Sequence, residues 1–411
     1  MNTTTIDWEK GDISHKKLMV IFFTFFLFYI TVYGTMSIFM TNISLRSVKD
    51  LILLVMVFYG FVYSFNHKLL SHLLIFIYGS LYLISLTSIL VSHDLLSFIY
   101  GVKISLLPMG MIFFGPIIAG QYNFKKNLVV IYFILVTVWL IQYYLGIDRL
   151  MEMGFVYGVN IKHFSGQLRL PSTVGAPDNY AMYIALISAA INTQLRGKLR
   201  ALFLILSTVL VILSTLRTAI LFWLVYILVT VILKLVKSSK RMRSFITSII
   251  CFMGSFGIML LPVFTNTSYA SSKSFIDRLT HWFDFVQPLN SVEGIIGRGM
   301  GIVGAASRRI SDLNINSLDY PVDNQYIALF EQIGLMGICF VFFFMLVSAY
   351  LLYKKGSDEG LAILLATSFS CLVTNTLELY PFNVLFWALI GMCIVNPSIL
   401  KRKITITSER R

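Results

Sequence analysis

The feature that most constrains this chain is the recurrence of apolar runs close to 20 residues long. About 30 Å of hydrocarbon is crossed by about 20 helical residues at roughly 1.5 Å each. Within lipid, a helix satisfies its backbone polar groups inside one segment. Twelve crossings are predicted, over residues 18–40, 51–65, 69–91, 104–120, 128–145, 179–195, 200–216, 218–236, 244–264, 325–353, 361–379 and 382–400. The stretch 201–236 is too long for one crossing, and Ser214-Thr215-Leu216-Arg217-Thr218 near its middle predicts a tight hairpin. Charged residues make up 13% of the chain, against roughly 25% in soluble domains. The expected fold is all-α: one polytopic membrane domain over residues 1–411 with about twelve transmembrane helices.

A net charge of +14 invites a nucleic-acid reading, and topology removes it. With both termini in the cytoplasm, 21 of the 33 Lys and Arg lie inside, but only 6 of the 19 acids. That is the positive-inside bias, so nucleic acid is not implied as a partner. Residues 1–17 are polar and run into a full-length apolar stretch, so no cleavable signal is expected. All four cysteines fall in apolar runs and read as small buried residues. Two outer segments are long enough to fold over the membrane, residues 146–178 and 265–324. Functional surface is therefore expected on the outer face, and above all in the polar stretch 278–337.

Inside there are 14 Lys and 7 Arg; outside, 4 Lys and 8 Arg. Arginine offers a rigid planar fork that pairs bidentately with phosphate. An outer face biased toward it suits an anionic headgroup, although any single Arg also reads as an ordinary interfacial residue. Three stand out. Arg169 precedes the turn-rich run Leu170–Asn179, Arg217 sits at the hairpin between two apolar helices, and Arg278 lies in a segment with helical apolar spacing. Arg298 lies among Gly297, Gly299 and Gly301, where backbone N–H groups approach a phosphate or simply form a turn. Asp323 and Asn324 open the tenth run; Asp323 reads either as a helix cap or as a general base. Outer aromatics Phe155, Tyr157, Trp282 and Phe283 offer stacking faces for sugar rings. No His or Cys cluster and no outer carboxylate pair has metal-ligand spacing, so neither metal nor cofactor is expected.

Several of these motifs together resemble the O-antigen polymerase and O-antigen ligase superfamily of bacterial inner-membrane proteins. The resemblance rests on Arg169 with Gly175 and Pro177, on Ser214-Thr215-Leu216-Arg217-Thr218-Ala219, and on Arg278 ahead of Gly297-Arg298-Gly299-Met300-Gly301. It rests most on Asn324, nine residues, then Gly334-Leu335-Met336-Gly337. It covers about residues 125 to 400; the first four runs match in hydropathy alone. The ligase pattern has a histidine where this chain has Asp323, which looks more like the polymerase branch.

The resemblance implies metal-independent glycosyl transfer on the periplasmic face of the bacterial inner membrane. Donor and acceptor would both be glycans on undecaprenyl pyrophosphate, held among membrane lipids, and a chain-length regulator protein is a compatible partner. Asp323, Arg217 and Arg278 would be catalytic, with Arg169, Arg298, Asn324, Trp282 and Tyr157 binding pyrophosphate or glycan. A ligase delivering glycan to a lipid A core and a flippase of lipid-linked oligosaccharide are the alternatives. The flippase reading expects charges near the midplane, whereas the sequence pattern places them at the outer boundary.

Overall fold

The computed structural model describes residues 4–40, 43–92, 94–119, 122–164, 166–195, 197–235, 291–304, 307 and 322–395. It is about 80% helical, and seven of the described helices are long and apolar enough to cross a membrane. This is a multi-pass α-helical membrane fold.

The chain opens with α1 (Thr4–Phe39), α2 (Ile43–Asn66) and α3 (His72–Ser92). Next comes a continuous helical stretch of three textures: α4 (Leu95–Gly101), a π-helical turn (Val102–Leu106), a 3-10 turn (Leu107–Gly110), and then α5 (Met111–Ile118). Asp94 starts it by accepting the N–H groups of Leu96 and Ser97. A π-turn inside a helix often marks a functional position, and this one carries Lys103. After α6 (Tyr122–Glu152), a small antiparallel hairpin of β1 (Lys162–Phe164) and β2 (Gln167–Arg169) pairs Lys162 with Arg169. The helices α7 (Pro177–Asn192), α8 (Gly197–Leu213) and α9 (Arg217–Leu235) follow, then the short α10 (Val292–Ile296). The chain closes with α11 (Gln325–Lys355), α12 (Asp358–Ser370) and α13 (Phe382–Val395).

Burial sorts the helices into two kinds. In α5 every residue is buried, and in α7 and α13 nearly every one. By contrast α2, α6 and α8 keep large apolar side chains such as Phe58, Phe133 and Leu202 exposed. A continuous exposed apolar surface belongs against lipid rather than water. The buried helices approach closely because facing residues are small: a Cβ on Gly391 would stand 2.1 Å from the Ile112 carbonyl oxygen, and one on Gly115 would stand 2.3 Å from that of Ala388. Small residues at such crossings are how helices pack where the solvent is as apolar as the helices.

The predicted crossings meet these helices with corrections. Run 244–264 lies outside the described residues. Helices α7, α8, α12 and α13 are short, at 16, 17, 13 and 14 residues. Helix α12 stops at Ser370, not 379, because the chain turns there; Cys371 is in that turn rather than in an apolar helix. Helix α11 is broken at Gly334 (φ 65°, ψ −171°). Helix α6 is likewise interrupted at Gly146, where its crossing was predicted to end. Helices α2 and α4 begin earlier than predicted, so Lys49, Asp50 and Lys103 lie inside helices rather than before them.

Candidate functional site

Polar contacts gather at one end of the bundle, and they begin with Arg169. Its Nε donates to the Thr215 hydroxyl at 2.8 Å, and its Nη2 donates to the Thr215 carbonyl. Thr215 occupies the turn between α8 and α9 with φ +55°, a left-handed conformation that β-branched residues rarely adopt. The guanidinium thus braces the hairpin that presents Arg217. That residue is exposed at the first position of α9, whose first turn holds no acid. A helix N-terminus carries partial positive charge, so a cation there is opposed by the helix and the corner attracts anions. Burial pulls the Arg169 guanidinium below its ordinary pKa; nearby Asp178 raises it and nearby Arg217 lowers it. Arginine nonetheless stays charged at any relevant pH. The structure therefore brings Arg169 and Arg217 together, with Asp178 held by Lys162 at 2.9 Å. Asp178 does not open α7: Ala176 is the cap residue and Pro177 takes the first helical position.

From this corner a hydrogen-bonded path runs to the start of α11. The Thr218 hydroxyl meets that of Thr374 at 3.1 Å, in the loop that follows α12. The same loop accepts the Gln325 N–H on the Cys371 carbonyl at 2.8 Å and donates the Leu377 N–H to the Gln325 side chain at 3.0 Å. Asn324 caps α11, its side-chain oxygen accepting from Tyr326 and Ile327 N–H. The capping task expected of Asp323 thus falls to its neighbour. Asp323 is half-buried beside the cap, and the Asn324 side-chain nitrogen is buried without a hydrogen-bond partner in the structure.

The Gly297–Gly301 segment serves the fold more than a ligand. The N–H groups of Arg298 and Gly299 donate to the carbonyls of Glu331 and Gln332, and Gly301 N–H donates to the Gln332 side chain. They are engaged by α11 rather than cradling a phosphate. Gly334 and Gly297 face each other across this contact: a Cβ on the first would lie 2.3 Å from the Ile295 carbonyl oxygen, and one on the second 2.4 Å from that of Gln332. The break in α11 and the glycine cluster are one packed unit. Arg298 itself lies between two carboxylates, Glu331 at 2.8 Å and Glu293 at 3.1 Å, and the Glu331 side chain is fully buried.

A second charged cluster was not among the residues singled out in the sequence. Lys103 pairs with Asp50 at 2.6 Å, and Lys49 lies 3.6 Å from the same carboxylate. The Lys49 ammonium is also under the rings of Tyr380 and Tyr33, 4.4 and 4.8 Å from their centroids. Glu378, itself buried, accepts from the Ser105 hydroxyl at 3.1 Å and from the Gln325 amide at 3.3 Å. Gln325 therefore joins this cluster to the arginine corner. The available signal was a charged residue next to or within an apolar run, which membrane helices retain only with a partner or a task.

Among the aromatics, Tyr157 is exposed, with its hydroxyl 3.2 Å from His163 Nδ1, whereas Phe155 is buried against Phe39 and offers no open face. Arg278, Trp282 and Phe283 lie outside the described residues. No group of three or more His, Cys, Asp or Glu among the described residues is arranged to hold a metal ion.

Fold and polar clusters together define a multi-pass helical membrane protein with linked arginine- and lysine-bearing polar clusters that are partly buried. No family model matches the chain, and no curated protein matches it significantly in sequence.

Proposed function

We propose that this protein is a glycosyltransferase of the polysaccharide polymerase type, joining repeat units carried on undecaprenyl pyrophosphate at the outer face of the bacterial inner membrane. The observation that carries the reading is the Arg169–Thr215–Arg217 corner, linked through Thr218, Thr374 and Gln325 to the segment bearing Asp323 and Asn324. In such a transfer the acceptor hydroxyl oxygen bonds to the donor's anomeric carbon. The bond from that carbon to the diphosphate oxygen breaks, and its electron pair leaves with the diphosphate. Preorganised guanidinium donors stabilise that developing charge. Asp323 takes the hydroxyl proton, while its neighbour Asn324 caps the helix. Tyr157 presents a ring for sugar stacking. Arg278 and Trp282 keep the roles the resemblance gives them, whereas Arg298, between two carboxylates, is assigned to structure.

A gene deletion tests this directly. Polymerase loss leaves single repeat units on the final acceptor, and full-length ladders in the deletion strain would refute the reading. Accumulation of long lipid-linked polymer would indicate a ligase instead. The flippase reading gains from the buried Lys49 with the half-buried Asp50 and Lys103, and from the break in α11, since transporters use buried charges and discontinuous helices. Loss of lipid-linked repeat units from the outer leaflet would select it.

A further inference from the structure

The end of the bundle that carries Arg169 also carries an apolar surface that neither polar cluster uses. The part of α6 from Phe124 to Leu145 is by itself long enough to span about 30 Å of hydrocarbon at roughly 1.5 Å per residue. At Gly146 the backbone leaves helical geometry (φ 75°, ψ 174°), and helix then resumes as far as Glu152. The chain beyond closes on itself. Phe155 N–H donates to the Leu150 carbonyl at 3.0 Å, and Val156 N–H donates to the Asn160 side-chain oxygen at 3.0 Å. Its inward residues Leu150, Phe155 and Ile161 are buried, and Phe155 meets Phe39 at the end of α1 edge-on, with ring centroids 6.1 Å apart. Its outward residues are apolar too. Met151, Met153, Val156 and Val159 are exposed, as are Phe39 and Met40 at the α1 end on which the segment rests.

We infer that residues 147–159 form an interfacial foot that lies in the headgroup layer of the membrane, with Met151, Met153 and Val156 entering the boundary of the acyl chains. Three observations place lipid against them. First, the apolar crossing of α1 is 24 residues long, more than the roughly 20 that hydrocarbon needs, so Phe39 at its end reaches the headgroup level. Second, the lipid-facing flank of α6, with Phe133, Leu140 and Ile141, continues into the exposed Tyr143 and Tyr144 just before the break. Tyrosines in such a position mark the boundary between hydrocarbon and water. Third, a helix redirected at that boundary, with Asp148, Arg149 and Glu152 exposed among apolar side chains, has the makeup of a segment lying in the interface plane. One arginine against two acids gives no basic face, so the attraction is apolar and indifferent to headgroup charge. The Asn160 side-chain nitrogen donates to the Gly175 carbonyl at 2.7 Å. The foot thereby ties the turn between Arg169 and α7 to the membrane surface. This inference goes beyond the polymerase reading and does not depend on it.

The test measures depth and needs no turnover, so it fails or succeeds apart from the deletion experiment. A fluorescent amino acid replaces Met153 or, in a second variant, Val156; both are exposed, so neither substitution removes a buried contact. Gln167, exposed on β2, is the water-facing control, and Phe133 the lipid-facing one. The full chain, one copy in each phosphatidylcholine nanodisc, is then quenched by lipid carrying a nitroxide on the headgroup or by aqueous iodide. Headgroup quenching at Met153 and Val156 is expected to exceed that at Gln167 about threefold, with iodide quenching lower by a similar factor. Equal parts of phosphatidylglycerol in the disc should leave both ratios unchanged. Iodide quenching equal to that at Gln167 would put the patch in water and overturn the inference. Shielding from iodide and nitroxide alike would mean a protein cover and would overturn it too. So would a gain in lipid quenching of about threefold with phosphatidylglycerol, since the attraction would then be electrostatic.

Discussion

Two regions at the same end of the bundle carry arginine beside a tight turn, and they behave in opposite ways. At the α8–α9 hairpin, Arg169 holds the strained Thr215 turn and Arg217 faces outward from a helix N-terminus. At the α11 break, Arg298 is fastened between Glu293 and Glu331, and the surrounding glycines are closed by backbone contacts. The first corner gathers two guanidinium groups at a helix start, with Asp178 nearby. The second holds its guanidinium between two carboxylates. The contrast shows that residue type sets what a side chain is able to do, and its partners decide whether it does so for a ligand or for the fold.

The largest effect should come from breaking the second region. Arg298→Ala leaves the buried Glu331 carboxylate without this partner and should lower stability by about 3 kcal/mol. Thermal unfolding in detergent reads this, and adding Glu331→Gln should restore part of the loss. An unchanged midpoint in the single variant would end the contrast, because Arg298 would then be as dispensable to the fold as an exposed residue.

Next in size is the first region. Arg217→Lys keeps the charge and loses the fork, so polymer formation should fall roughly 100-fold, about 2.7 kcal/mol in the barrier, with the unfolding midpoint unmoved. Full activity at normal expression would return Arg217 to a lipid-contacting role. A smaller effect separates the two residues that open α11. Asn324→Ala removes the cap and should cost about 1 kcal/mol. Asp323→Asn should leave stability within about 0.5 kcal/mol while glycan chain length drops; equal loss of stability in both would assign the cap to both. The smallest change is expected from Lys162→Ala. Its ion pair with Asp178 is only about one-third exposed on each side, near the surface, and should contribute under about 1 kcal/mol by the same unfolding measurement.

Membrane class, the run of apolar helices and the Ser214–Thr218 hairpin were legible in the sequence. Apolar run length against the thickness of hydrocarbon is a local property, and a turn inside an overlong run has few alternatives. Arg169, Arg217, Asp323 and Asn324 were legible as candidates too, since each stands beside a turn or helix start. Their grouping was not. Arg169 reaches Thr215 across 46 positions, and Thr218 reaches Thr374 across 156; no spacing rule connects residues so far apart. Lys49, Asp50 and Lys103 looked like the polar ends of apolar runs because hydropathy averages across a helix and ignores which face is buried. Only tertiary packing placed both lysines on one aspartate, set Glu378 behind them, and joined α11 at Gly334 to the glycines near 299. The sequence by itself determined that the chain belongs in lipid, because burying apolar runs there depends on each run alone. Which charges face each other was decided by three-dimensional proximity, because electrostatic partners act through distance and not through position along the chain.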